Sequence, residues 1–253
     1  MHRSHTFSLT APVTVNVGPG WVGPITVIVD ESAPAISVTM QGDNAAAVDG
    51  AAITVAGAEL TVKPAPRAHT SFVGPGVSVI NGDVYIEGST MTFSTGGVII
   101  GGSQLPDTSV ALTITVPVAH DVIIDAVAGD VHLHGQVSQD VIISTATGAV
   151  TLHESAARVS NIETQSGDIT IASVPTTARV VATSQSGDVK VGGVRGRLLA
   201  ETMSGDITAT AIDPSTYTIQ LSSMAGDIYL GPAPSARMNL VQATTMSGRV
   251  LPL

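Results

Sequence analysis

The chain has 253 residues, 43% of them hydrophobic but only 3% aromatic, with 26 Gly, 14 Pro, no Cys and a formal net charge of −10. The lack of cysteine excludes disulfides, thiolate metal sites and thiol nucleophiles, and 10 Lys and Arg against 20 Asp and Glu argue against nucleic acid or an anionic membrane as partner. Apolar content carried by Val, Ile, Ala and Leu between frequent turn formers describes an all-β protein long enough to bury a sizeable core.

The start, Met1 to Phe7, runs into Thr and Pro rather than an apolar stretch, so no cleavable signal peptide is expected. No run approaches the roughly 18 apolar residues of a membrane helix, so no membrane insertion is expected either. Alternating runs follow at Val13-Val15-Val17, Val27-Val29, Ile36-Val38-Met40, Ile53-Val55 and Leu60-Val62. They predict short strands, and residues 1–75 form an N-terminal β region, either a small β-sandwich or irregular first coils. Residues 76–253 form the repeat domain, interrupted by an irregular insertion near 88–120 where Gly96-Gly97 and Gly101-Gly102 punctuate the chain. Within the first part, Asn81-Gly82-Asp83-Val84-Tyr85-Ile86 matches the later repeat and is the candidate first coil.

From Gly129 onward a Gly-centred unit recurs at Gly129, Gly148, Gly167, Gly187, Gly205, Gly226 and Gly248, in steps of 18 to 22 residues. A period near twenty means stacked coils. Two residues after each glycine stand Val131, Val150, Ile169, Val189, Ile207, Ile228 and Val250; the seventh and fifth positions before it are mostly apolar as well, as in Val141 and Ile143. That alternation is the period-two mark of strands with one buried face, giving two strands per coil with a turn between. The expected fold is therefore all-β: a β-solenoid of roughly 20-residue coils behind a sandwich-like or irregular β region.

On the buried face, three positions before the glycine, stand Ala126, Thr145, Thr164, Ser184, Thr202, Ser223 and Thr245. These hydroxyls read as an internal ladder bonded to each other or to backbone near the corner, because a buried hydroxyl without a partner costs about 1–3 kcal/mol.

Two sets of side chains are metal-ligand candidates. Asp168, Asp188, Asp206 and Asp227, with Asp83 and Asp130, follow their glycines and would stack about 5 Å apart, a spacing open to calcium. The competing expectation is turn chemistry, with Gly in a left-handed conformation and Asp capping backbone N–H groups; Ala149 and Arg249 at the same position show that a coil closes without the carboxylate. His132, His134 and His153 fall on neighbouring coils and would reach zinc with a further ligand such as Glu154. A polar outer face is the alternative there. Catalytic residues and cofactors are expected to be none: the polar residues recur evenly, and neither a nucleophile elbow nor a phosphate loop appears.

The units Gln165-Ser166-Gly167-Asp168-Ile169, Gln185-Ser186-Gly187-Asp188-Val189, Met203-Ser204-Gly205-Asp206-Ile207 and Met224-Ala225-Gly226-Asp227-Ile228 resemble the strand repeats of a bacterial putative-adhesin family of unknown function, over about the last 130 residues. The resemblance implies a β-solenoid without recorded catalytic residues, often at cell surfaces; similar repeats occur in phage particle proteins. Two functions follow as expectations. The first is a non-enzymatic decoration component of an assembled particle such as a phage head or tail, favoured by the absence of an export signal. The second is a cell-surface adhesin or interaction module. Both imply protein partners, with homo-oligomers among them, and a location on a virion or at an extracellular surface.

Overall fold

Alternation of apolar and polar residues folds each coil into one long and one short strand whose apolar sides face each other. The computed structural model describes residues 1–8, 12–66, 109–153, 157–213, 217–232, 234 and 239–253, and between 67 and 108 the backbones of five strands only. The long strands Ala119–Ala128, Asp140–Thr147, Val159–Ser166, Arg179–Ser186, Arg197–Ser204, Ile219–Ala225 and Val241–Thr245 stack in parallel in one sheet. The short strands Val131–His134, Val150–Leu152, Ile169–Ile171, Val189–Val191, Ile207–Ala209, Ile228–Leu230 and Val250–Pro252 stack in the other. Register is strict: Val150 lies over Ile169, Ile169 over Val189 and Val189 over Ile207, all fully buried. The core is a column of like residues between two parallel sheets, which explains the all-β reading and its period.

A third buried column closes the coil between one short strand and the next long one. Val137, Val174, Val194 and Ile212 lie there, with Val174 bridged to Val194. Each is a single apolar residue in a loop of variable length, so no periodic signal announces it.

The five alternating runs before residue 63 are all strands. They form irregular first coils rather than a separate sandwich. Val13–Val22 pairs in parallel with Ala119–Ala128, and Ile25–Val29 with Val131–His134, so the opening strands lie directly beneath the repeats. Gly23 sits beneath Gly129 and starts the stack. Ala111–Val116 also enters the short-strand sheet, between Ile25–Val29 and Ile36–Gln41. The unit around Gly82 is not the first coil: Asp83–Ile86 pairs antiparallel with Val77–Ile80 in a separate two-stranded sheet. Its sequence matches the repeat, but a hairpin satisfies the same alternation locally.

At the N-terminal end of the stack the strand direction changes. Ala52–Ala56 folds back antiparallel on Glu59–Lys63 at one sheet's edge, and His2–Phe7 lies antiparallel on Ile36–Gln41 at the other. Trp21 is buried at this end and donates its ring N–H to the Val110 carbonyl at 3.0 Å. Asn44 caps the short helix Ala45–Gly50, accepting from the backbone N–H of Ala46 and Ala47, while the Arg3 guanidinium donates to the carbonyls of Val48, Asp49 and Ala51. The strands Ala52–Ala56 and His2–Phe7 are the outermost of their sheets at this end, half-buried on alternate residues.

Candidate functional site

The corner at each glycine is where the repeated polar residues converge. A Cβ on Gly187 would lie 2.2 Å from the Gly167 carbonyl oxygen, and one on Gly226 would lie 2.0 Å from that of Gly205. Coils touch backbone to backbone there. The expected left-handed conformation occurs at Gly129 (φ 121°) and Gly148 (φ 124°) but not at Gly187 or Gly226, so close approach rather than turn conformation excludes a side chain from the later corners.

The aspartates after the glycines cap the neighbouring coil. The Asp168 carboxylate accepts from the Asp188 backbone N–H at 2.8 Å, Asp188 from Asp206 at 2.9 Å, Asp206 from Asp227 at 2.8 Å, and Asp227 from Arg249 at 2.8 Å. Asp130 does the same for Ala149. One oxygen of each carboxylate thus holds a backbone donor one coil on. Lys190 approaches the second oxygen of Asp188 at 3.5 Å, and the Arg249 guanidinium that of Asp227 at 2.9 Å. Hydrogen bonds from Arg249 hold the Asp227 carboxyl below the usual carboxylate range. The Asp83 side chain lies outside the described residues.

All but one of the ladder hydroxyls are bonded to backbone. Ser184 donates to the Gly167 carbonyl at 3.1 Å, Thr202 to Gly187 at 3.1 Å, Ser223 to Gly205 at 3.0 Å and Thr245 to Gly226 at 2.9 Å. Thr145 turns instead to the Thr147 carbonyl. Thr164 is buried with no partner among the described residues. Thr202→Val is therefore expected to cost about 1 kcal/mol, whereas Thr164→Val is neutral or stabilising because it removes an unpaired buried hydroxyl. Urea denaturation of the two variants checks this, and equal losses would contradict it.

The three histidines come together on the outer face of the short-strand sheet. His134 and His153 stack with ring centroids 4.1 Å apart and planes at 9°, and His132 lies 6.4 Å from His153. Glu154 lies outside the described residues. Among the described residues no three His, Asp or Glu side chains are placed to hold one metal ion. Burial lowers the His134 pKa from its ordinary 6.5, and the charges of His153 and His132 lower it further. A histidine whose folded pKa is depressed takes up its proton first in the unfolded chain. Its contribution is complete above about pH 6.5 and is lost as pH falls through the folded value. His134→Gln is expected to flatten the fall in melting temperature over that window; an unchanged slope would contradict the coupling.

Two features of the outer surface carry no sequence motif. Along the long-strand sheet runs a groove of about 350 Å³ whose walls carry Asp125, Ser144, Glu163, Gln165, Thr183 and Gln185. Beyond it, two residues before successive glycines, stand the exposed methionines Met203, Met224 and Met246. Their common position relative to the glycines was legible, but outward columns vary from coil to coil and form no motif. No helix among the described residues is long and apolar enough to cross a membrane.

Two parallel sheets, a corner of stacked glycines and backbone-capping Asp and hydroxyl ladders define a β-solenoid scaffold. The chain belongs to the Toastrack family, DUF4097, whose family model matches residues 24–250. Among solved structures it is similar to a putative adhesin from Bacteroides fragilis, with a TM-score of 0.59 at 16% identity over 100% of this chain and 97% of that one. It is also similar to a putative adhesin from Parabacteroides distasonis, with a TM-score of 0.48 at 12% identity over 100% and 97% of the two chains. A third likeness, a putative lipid binding protein from the same species, has a TM-score of 0.46 at 16% identity over 100% and 96%. No curated protein matches the sequence.

Proposed function

We propose that the chain is a non-enzymatic, adhesin-like attachment module that presents the outer faces of its coils to protein partners at an extracellular surface. One observation carries this: the recurring polar residues are committed to holding coil on coil, while the outward column on the short-strand sheet is free of that task and mixes residue types. Asp188 and Thr202 hold backbone groups of neighbouring coils. By contrast, the outward column three residues after the glycine runs His132, Thr151, Thr170, Lys190, Thr208, Tyr229. A constant scaffold with variable display suits recognition of a surface, and among the described residues no constellation of acid, base and nucleophile stands apart from the repeat. The Bacteroides fragilis neighbour, itself named a putative adhesin, supports attachment rather than a particle component.

The test displays the chain on fluorescent beads and measures their retention on bacterial and host-type cell layers, beside a panel of glycosidase, esterase and peptidase substrates. Retention above albumin-coated beads, lost on replacing the exposed Met203, Met224 and Met246 together by serine, is the expected result. Retention equal to albumin, or turnover of any substrate, would overturn the proposal.

A further inference from the structure

The exposed methionines form a column rather than a scatter. Of the 7 methionines in the chain, Met203, Met224 and Met246 each stand two residues before a corner glycine, on three successive coils. Pairing of Thr202 with Ser223 and of Ser204 with Ala225 brackets Met203 beside Met224. Ser223 pairs in turn with Thr245, and the Met246 and Ser247 N–H groups donate to the Ser223 and Met224 carbonyls at 3.1 and 3.0 Å, which carries the same register on to Met246. All three side chains leave the outer face of the long-strand sheet; Met203 is 52% and Met224 46% exposed, in strands that are paired on both edges. Three thioether sulfurs therefore start from backbone positions about 4.8 Å apart.

We infer that this column is a binding site for copper(I), with Met224 as the central ligand and Met203 and Met246 as the ligands on its two sides. The donor atom selects the class of ion: a thioether is a soft, uncharged ligand that takes copper(I) and leaves calcium and magnesium to oxygen donors. Methionine is unbranched and turns about three side-chain bonds, so sulfurs from neighbouring coils lean together onto one ion. Met203 and Met246 lie two coils apart, about twice the strand spacing, so an ion held by both is held by Met224 as well.

The surroundings favour an ion over an apolar partner. The stripe is one residue wide: Glu201, Ser222 and Thr244 flank it in the next outward column, and Ser204, Ala225 and Ser247 flank it toward the corner. Apolar docking faces are contiguous patches, and this one is bordered by hydroxyls and a carboxylate. A net charge of −10 draws a cation to the surface. His132, His134 and His153 cluster on the other sheet, so they are not ligands of the same ion. The inference goes beyond the adhesin-like reading and does not depend on it.

Silver(I), which shares the ligand preference of copper(I) and stays in one oxidation state in water, is the first probe. The whole chain, labelled with carbon-13 at its methionine methyl groups, is titrated with silver nitrate in chloride-free buffer at about pH 5 and followed by NMR. At that pH imidazoles are largely protonated, whereas a thioether has no proton to lose, so capture by histidine is suppressed. The methyl signals of Met203, Met224 and Met246 are expected to move together and to saturate at one equivalent, while that of the buried Met40 stays in place. Calcium is expected to move none of them, and copper(I) kept reduced with ascorbate to move the same three. Met224→Leu, close to volume-conserving, is expected to abolish the shift of both remaining signals, whereas Met203→Leu or Met246→Leu leaves a weaker two-sulfur site. Three signals unmoved by one equivalent of silver or of copper(I), or full shifts of Met203 and Met246 in the Met224→Leu protein, would overturn the inference.

Discussion

Replacing Gly187 by valine is expected to destabilise the protein by about 3 kcal/mol or more, near the upper end of overpacking effects. The new Cβ would lie 2.2 Å from the Gly167 carbonyl oxygen, a backbone atom that cannot swing aside as a side chain would. That oxygen is also fixed by the Ser184 hydroxyl, and the Gly187 carbonyl itself stands 2.2 Å from where a Cβ on Gly205 would be, so a shift at one corner is passed to the next. Gly57→Ala is the control. Gly57 has φ 61° and nothing near its would-be Cβ, so alanine there meets only left-handed strain, about 1–2 kcal/mol. Chemical denaturation of both variants measures the difference, and equal losses would mean that the corners are not in contact.

The second large effect is expected in the core column. Ile169 lies between Val150 and Val189 and is fully buried, so Ile169→Ala should cost about 2–5 kcal/mol from lost transfer energy and the cavity left behind. Thr170, its immediate neighbour, points to the opposite side of the sheet, and Thr170→Ala should stay within about 0.5 kcal/mol. The contrast between adjacent residues is the energetic signature of the strand alternation. Comparable losses at both positions would place Ile169 outside a packed column.

The glycine repeat made the stacking register legible because seven recurrences tie each apolar position to a fixed corner, and the structure places Val150, Ile169, Val189 and Ile207 over one another as that register requires. The backbone-capping role of Asp168 and its counterparts was legible for the same reason: a residue that recurs in most coils serves the coil. Gly23-Pro24-Ile25-Thr26-Val27 shows where legibility stops. It has the glycine and both apolar positions, yet lacks the Ser and Asp of the later units and stands 106 residues before Gly129, so only the fold reveals it as part of the first coil. Asn81–Ile86 errs in the opposite sense, carrying the local pattern while its strand pairs in a hairpin. Local alternation specifies a strand, and long-range partners decide which sheet it joins. The histidine cluster was legible as a neighbourhood but not as a stack, because ring orientation depends on side-chain rotamers. The groove beside Glu163 was not legible, and the shared position of the methionines at 203, 224 and 246 could be read from the glycine register but matches no motif that would give it a role.

The most direct measurement of coil-on-coil stacking is a disulfide between facing outward positions, in a chain that has no cysteine of its own. Thr170 pairs with Lys190, and Lys190 pairs with Thr208 one coil further on. Parallel neighbours lie about 4.8 Å apart and next-nearest ones about twice that, so only the first spacing is within disulfide reach. Thr170→Cys with Lys190→Cys should therefore close an intramolecular disulfide under mild oxidation, and Thr170→Cys with Thr208→Cys should leave both thiols free. Free thiols in the first protein, or a ready disulfide in the second, would contradict the stack.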